Sequence, residues 1–228
     1  MTARGDLDTI ARALEVSLTD RVCIGEIIVI KTSEGHFLLS HRDDERLDEL
    51  RTFRSAEDAI ALAKYDDAGN YRPLKTAPNL RHGWRLELDT LAELKPALDY
   101  FYPGRLAVFA AWEKQQVQTT SLRETLARQS GMYRVAARIS DSQTNEVVAD
   151  FCRSDGGCLR TILWKRDDTG AIASTKLPEQ KFDPACDQSS AGRRSGTAAR
   201  ITAATVPLLC QEACNLLIAE CRKVVKGE

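Results

Sequence analysis

The 228-residue chain is marked first by what it lacks. It has no run of about 18 apolar residues, the length a membrane-crossing helix needs. Its opening residues, Met-Thr-Ala-Arg-Gly-Asp-Leu-Asp, contain no apolar core of a signal peptide, so a cytoplasmic protein is expected, in a compartment where disulfides are rare. It also lacks a dominant charge. With 32 basic and 33 acidic residues the formal net charge is −1, which gives no global attraction to nucleic acid and no sign of a membrane surface. Cys-x-x-Cys is absent, and with it the paired knuckles of the usual structural zinc site. Histidine is scarce. His36, His41 and His82 stand in separate local contexts, and the five-residue spacing of the first two sets them on opposite faces of a strand, so both are expected at the surface.

Cysteine, by contrast, is concentrated. Of seven cysteines, six lie in the 77 residues from Phe151 to Gly227: Cys152, Cys158, Cys186, Cys210, Cys214 and Cys221. Cys23 stands apart and is expected as a buried apolar residue. Small hydrophobes filling a core would be spread along the chain, and an odd total does not complete a disulfide framework. The cluster therefore points to metal or redox chemistry.

With 43% hydrophobic residues the chain can bury a substantial core. The fold class expected is α+β, in two domains, a small α+β domain over residues 1–131 and a cysteine-rich α+β domain over 132–228. In the first, Leu7, Ile10, Ala11, Leu14 and Leu18 form one apolar helical stripe. Residues 23–30 and 37–40 read as two strands joined by the turn at Ser33-Glu-Gly. Ser55 with an acid three residues on resembles a capping box, and residues 89–104 read as a helix stopped at Pro103-Gly104. One more helix is expected from Val108 towards Gly131. In the second domain, residues 133–139, 146–152 and 159–165 suggest a short antiparallel sheet, and Pro207 to Lys226 a C-terminal helix.

On such a helix Cys210 and Cys214 would stand one turn apart on one face, with Cys210 near the N-terminus, where backbone N–H groups favour thiolates. Four thiolates at irregular spacings are what an iron–sulfur cluster accepts. A structural zinc module for protein contacts, or a stand-alone chelatase, are the rival readings.

Thr76-Ala-Pro-Asn-Leu-Arg-His-Gly-Trp, Tyr102-Pro-Gly, Cys158-Leu-Arg-Thr-Ile-Leu-Trp and Cys210-Gln-Glu-Ala-Cys-Asn together resemble the C-terminal half of multidomain CbiX-like proteins, relatives of the chelatases of cobalamin and sirohaem synthesis. In that family a stabilising domain is followed by a domain with a 4Fe–4S cluster. The resemblance implies a 4Fe–4S cofactor and carries Cys158, Cys210 and Cys214 over as ligands. Cys152 is favoured as the fourth because a five-residue turn can bring it beside Cys158, with Cys186, in a Gly- and Ser-rich stretch, as the alternative. The resemblance does not reach the family's chelatase domains, so electron transfer or redox sensing linked to tetrapyrrole metabolism is expected, and not an enzyme on its own. Gly192-Arg-Arg-Ser-Gly makes Arg193 and Arg194 candidates for binding an acidic protein or a carboxylate-rich tetrapyrrole.

Overall fold

The computed structural model describes residues 3–16, 21–44, 49–128, 138–153, 157–166 and 204–227. These fall into two compact units. One holds the described residues up to 75 together with 79–110 and 204–208; the other holds 76–78, 111–166 and 209–227. The class is α+β, as expected.

The first unit is built on a six-stranded mixed sheet of order β4-β5-β3-β2-β1-β7. The strands are β1 (Arg21–Ile24), β2 (Ile27–Lys31), β3 (Phe37–His41), β4 (Arg51–Phe53), β5 (Trp84–Leu88) and β7 (Ala204–Val206). Where the sequence suggests one strand over residues 23–30, two form, because the chain reverses at Gly25. There φ is +59°, and an added Cβ would lie 2.7 Å from the Tyr102 hydroxyl. That hydroxyl accepts the buried Glu26 N–H at 2.9 Å, pinning the turn. β1–β2, β2–β3 and β3–β5 are antiparallel; β4–β5 and β1–β7 are parallel.

Helices α1 (Ala3–Val16), α2 (Asp58–Lys64) and α3 (Leu91–Phe101) complete this unit. Leu94, Ala97, Leu98 and Phe101 form the buried stripe of α3, and Trp84 of β5 stacks on Phe101 with ring centroids 5.1 Å apart. α3 opens on a capping box in which Thr90 accepts from Glu93 N–H while the Glu93 carboxylate accepts from Thr90 N–H. The Ser55 capping box forms only in half: the Asp58 carboxylate accepts the Ser55 N–H at 3.2 Å, but the Ser55 hydroxyl accepts from Glu57 N–H instead of Asp58 N–H, and α2 begins at Asp58.

α4 (Arg105–Glu113) leads to the second unit, which contains α5 (Leu122–Arg128), α6 (Asp141–Val148), a π-helical turn over Ala149–Arg153, β6 (Thr161–Ile162), β8 (Leu209–Cys210) and α7 (Asn215–Lys226). Its core gathers Leu122, Leu126, Val148, Ile162, Trp164, Leu217, Ile218 and Cys221. Two expectations are corrected here. Residues 146–152 are helical, because Ser140 and Gln143 form a capping box that starts α6 and turns Val147 and Val148 to the core. Residues 207–226 are not one helix: Leu209 and Cys210 pair with Thr161 and Ile162, and that two-stranded sheet is parallel, not antiparallel. No described helix is long and apolar enough to cross a membrane.

Candidate metal centre

Cys152, Cys158, Cys210 and Cys214 line one pocket in the second unit, with Arg160 and Trp164 among them and Phe151, Ile162 and Leu217 as apolar walls. Each cysteine is delivered by a different device. Cys152 sits in the π-helical turn that ends α6, a distortion often found at functional sites. Cys158 is tied to Cys152 through the backbone, its N–H donating to the Cys152 carbonyl at 3.4 Å. Cys210 ends the short strand β8. Cys214 is the N-cap residue of α7 in extended conformation, with the Ile218 N–H bonded to its carbonyl at 3.1 Å.

This geometry replaces the expected one-turn helical pair. Cys210 and Cys214 converge from a strand and a helix cap, and it is Cys214, not Cys210, that meets the positive end of the helix. Cys221 is fully buried in the core, consistent with a packing role. Cys23 is buried in β1 of the first unit, as expected, and is disulfide-bonded. Cys186, Arg193 and Arg194 lie outside the described residues.

Three side chains point at the sulfurs, two of them from distant positions. The Arg160 Nε–H donates to Cys158 Sγ at 3.3 Å, the Thr76 hydroxyl lies 3.0 Å from the same sulfur, and the Trp164 Nε1–H donates to Cys210 Sγ at 3.2 Å. The Leu159 N–H bonded to the Thr76 carbonyl at 2.8 Å holds Thr76 in place. The Cys210 thiol, when protonated, donates to the Glu212 carbonyl at 3.1 Å.

Burial pushes the Cys152 thiol up to about 12, and repulsion by Cys158, Cys210 and Cys214 adds to it, against the pull of Arg160. Burial also raises Cys210, against Arg160 and the Trp164 hydrogen bond. Arg160 shows the converse. Burial opposes its charge, but the Cys210 and Cys158 thiolates outweigh burial and push the guanidinium pKa up. Without a cation to share, then, Cys152 and Cys210 hold their protons more tightly; four sulfurs and one built-in guanidinium form a site made to place negative charge around a positive centre.

The four-sulfur donor set fits an iron–sulfur cluster, which Cys thiolates hold. Residues 114–223 match the family described as a 4Fe–4S iron–sulfur cluster binding domain, and residues 11–116 match the DR2241 stabilising domain. The cofactor for which the cysteine-rich segment is matched is thus a 4Fe–4S cluster. The chain is also similar to the crystal structure of DR2241 from Deinococcus radiodurans, a multi-domain protein with structural similarity to chelatases and two additional novel domains. The identity is 29% and the TM-score 0.71, over 100% of this chain and 43% of that one. No curated protein matches. The chain spans less than half the length of the structure it resembles.

Sequence reasoning singled out none of Arg160, Thr76 and Trp164 as partners of the cysteines. All three lie in the motifs that carry the family resemblance, but only the fold shows that they reach sulfur. Thr76 is 82 positions from Cys158, a separation with no local signal.

Proposed function

We propose that Cys152, Cys158, Cys210 and Cys214 hold the 4Fe–4S cluster, and that the protein uses it in the cytoplasm for electron transfer or redox sensing beside an enzyme of tetrapyrrole metabolism. The observation that carries this is the convergence of the four thiols on one pocket with Arg160 set among them. When bound, the cluster supplies one-electron storage. The chain's own residues do the rest: the cysteines bind, Phe151, Ile162 and Leu217 restrict water, and Arg160, Thr76 and Trp164 offset charge on the sulfurs. Because every candidate ligand is a cysteine, the site is suited to moving electrons and offers no open position for Lewis-acid chemistry on a substrate.

The metabolic link is supported by the likeness to a chelatase-like multidomain protein and by the CbiX-like motifs, with Arg193 and Arg194 as the proposed contact for a carboxylate-rich tetrapyrrole or an acidic protein. Protein purified without air should contain about four iron and four sulfide per chain, as a 4Fe–4S cluster requires. Zinc without sulfide would overturn the proposal in favour of a structural module. Turnover in a chelatase assay with cobalt or iron would overturn the non-enzymatic role, and salt-sensitive partner capture unchanged in an Arg193→Ala, Arg194→Ala variant would remove those arginines from it.

A further inference from the structure

The first unit contains a second constellation of metal-binding side chains, independent of the cysteine pocket. Strand β3 alternates inward at Phe37, Leu39 and His41, so His41 is buried at the strand's end and not at the surface as its spacing suggests. β3 and β5 pair antiparallel with Phe37 opposite Leu88 and Ser40 opposite Arg85, which brings the end of β3 and the 3-10 turn after it (Arg42–Asp44) beside the residues leading into β5. The two imidazoles consequently meet, with ring centroids 3.9 Å apart. Among the described residues His41, Asp43 and His82 are the group whose ligand atoms all lie within 4.8 Å of one another.

The surroundings of the two rings point to a cation. His41 Nδ1 accepts the Asp43 N–H at 3.2 Å and lies 3.7 Å from the Asp43 carboxylate. The ring proton therefore sits on Nε2, which is buried with no hydrogen-bond partner and has the buried Glu26 carboxylate 3.8 Å away. His82 Nε2 lies 2.9 Å from Asp67, while its Nδ1 faces the buried Asp44 at 3.6 Å. On each imidazole one nitrogen thus has a supporting carboxylate beside it, Glu26 at His41 Nε2 and Asp67 at His82 Nε2, and the other is left as the ligating atom, His41 Nδ1 exchanging the Asp43 N–H for the ion and His82 Nδ1 lying beside Asp44. That is the arrangement in which a supporting carboxylate fixes the tautomer of a metal-ligating histidine.

We propose that His41, Asp43 and His82 bind one divalent first-row transition-metal ion, with Glu26 and Asp67 as supporting groups. Two imidazoles and one carboxylate favour zinc or cobalt(II) over magnesium or calcium, which prefer oxygen ligands. Three protein ligands leave a fourth position open to water or an exchanging ligand. The site is half-exposed through Asp43 and His82, which lets an ion come and go.

The test is equilibrium dialysis of the full-length, cluster-loaded protein against zinc alone, with zinc and iron measured together. The parent chain should retain one more zinc than His82→Ala or Asp43→Asn at unchanged iron content. Asp67→Asn should weaken that zinc about tenfold to a hundredfold, the cost of losing a supporting group, and excess magnesium should not displace it. His82, Asp43 and Asp67 are all substantially exposed, so these variants keep the core, and unchanged circular dichroism checks it. Equal zinc retention by the parent, His82→Ala and Asp43→Asn would overturn the proposal, as would displacement of the extra zinc by magnesium.

Discussion

Replacing Trp164 by Phe should lower the reduction potential of the cluster without releasing it. Trp164 is fully buried, and its Nε1–H is aimed at Cys210 Sγ at 3.2 Å. Phe keeps an aromatic ring in the core and deletes only the donor and part of the volume. A hydrogen bond to a charged acceptor contributes about 1.5–3 kcal/mol. Reduction adds negative charge to the sulfurs and strengthens the bond; if it strengthens by roughly a third, the differential is about 0.5–1 kcal/mol. For one electron, about 1.4 kcal/mol corresponds to about 59 mV, so the shift should be on the order of −20 to −40 mV. Arg160→Gln should move the potential further in the same direction, because it removes a full positive charge as well as a donor to Cys158. An anaerobic redox titration followed by visible absorption reads both shifts. A potential unchanged by Trp164→Phe, or raised by it, would refute the claim that these donors act on cluster sulfurs, since lost packing alone gives no reason for a shift of this sign.

Three further outcomes concern the scaffold. Tyr102→Phe should cost the first unit about 1–3 kcal/mol in urea unfolding, because it leaves the buried Glu26 N–H without its acceptor; an unchanged midpoint would show that water replaces the hydroxyl. Gly25→Ala should also destabilise, by about 1–3 kcal/mol, since the residue is left-handed and its new Cβ meets the Tyr102 ring and hydroxyl, and thermal unfolding would measure this. The cluster-free protein should lose stability as pH rises from about 9 toward 11: burial pushes the Cys221 thiol from 9.0 up to about 11, so the folded chain holds this proton more tightly than the unfolded chain. That contribution is complete below pH 9 and lost as pH rises through the folded value. Cys221→Ala should flatten this part of the urea-midpoint profile, and an unaltered slope would show that Cys221 is not its source.

The sequence was most legible where the signal is local. Helix α3 is marked in the sequence by the run from Asp89 to the stop at Pro103-Gly104, and it forms within those bounds, over Leu91–Phe101. The gathering of cysteines toward the C-terminus likewise announced metal chemistry. What misled was competition between local preference and distant pairing. Pro207 and the apolar residues after it look like the first turn of a helix, but Leu209 and Cys210 are taken into a ladder with Thr161 and Ile162, and the helix starts only at Asn215. Val147 and Val148 look like strand residues, yet the upstream Ser140–Gln143 cap commits them to α6. His41 and His82 share no sequence context; only the β3–β5 register brings them together. Thr76 and Trp164 were hidden for the same reason, since they lie far along the chain from the sulfurs they reach.

The central claim is that a specific four of the cysteines hold the cluster, and it is tested most directly by iron and sulfide content in single Cys→Ser variants purified anaerobically. Cys152, Cys158, Cys210 and Cys214 converge on the pocket, whereas Cys221 is sealed in the core and Cys23 belongs to the other unit. Cys152→Ser, Cys158→Ser, Cys210→Ser and Cys214→Ser should each lose most of the iron, sulfide and visible absorption, while Cys221→Ser and Cys23→Ser retain them. Full cluster content in Cys152→Ser, with loss in Cys186→Ser, would contradict the fourth assignment, and full content in Cys158→Ser, Cys210→Ser or Cys214→Ser would contradict the site itself.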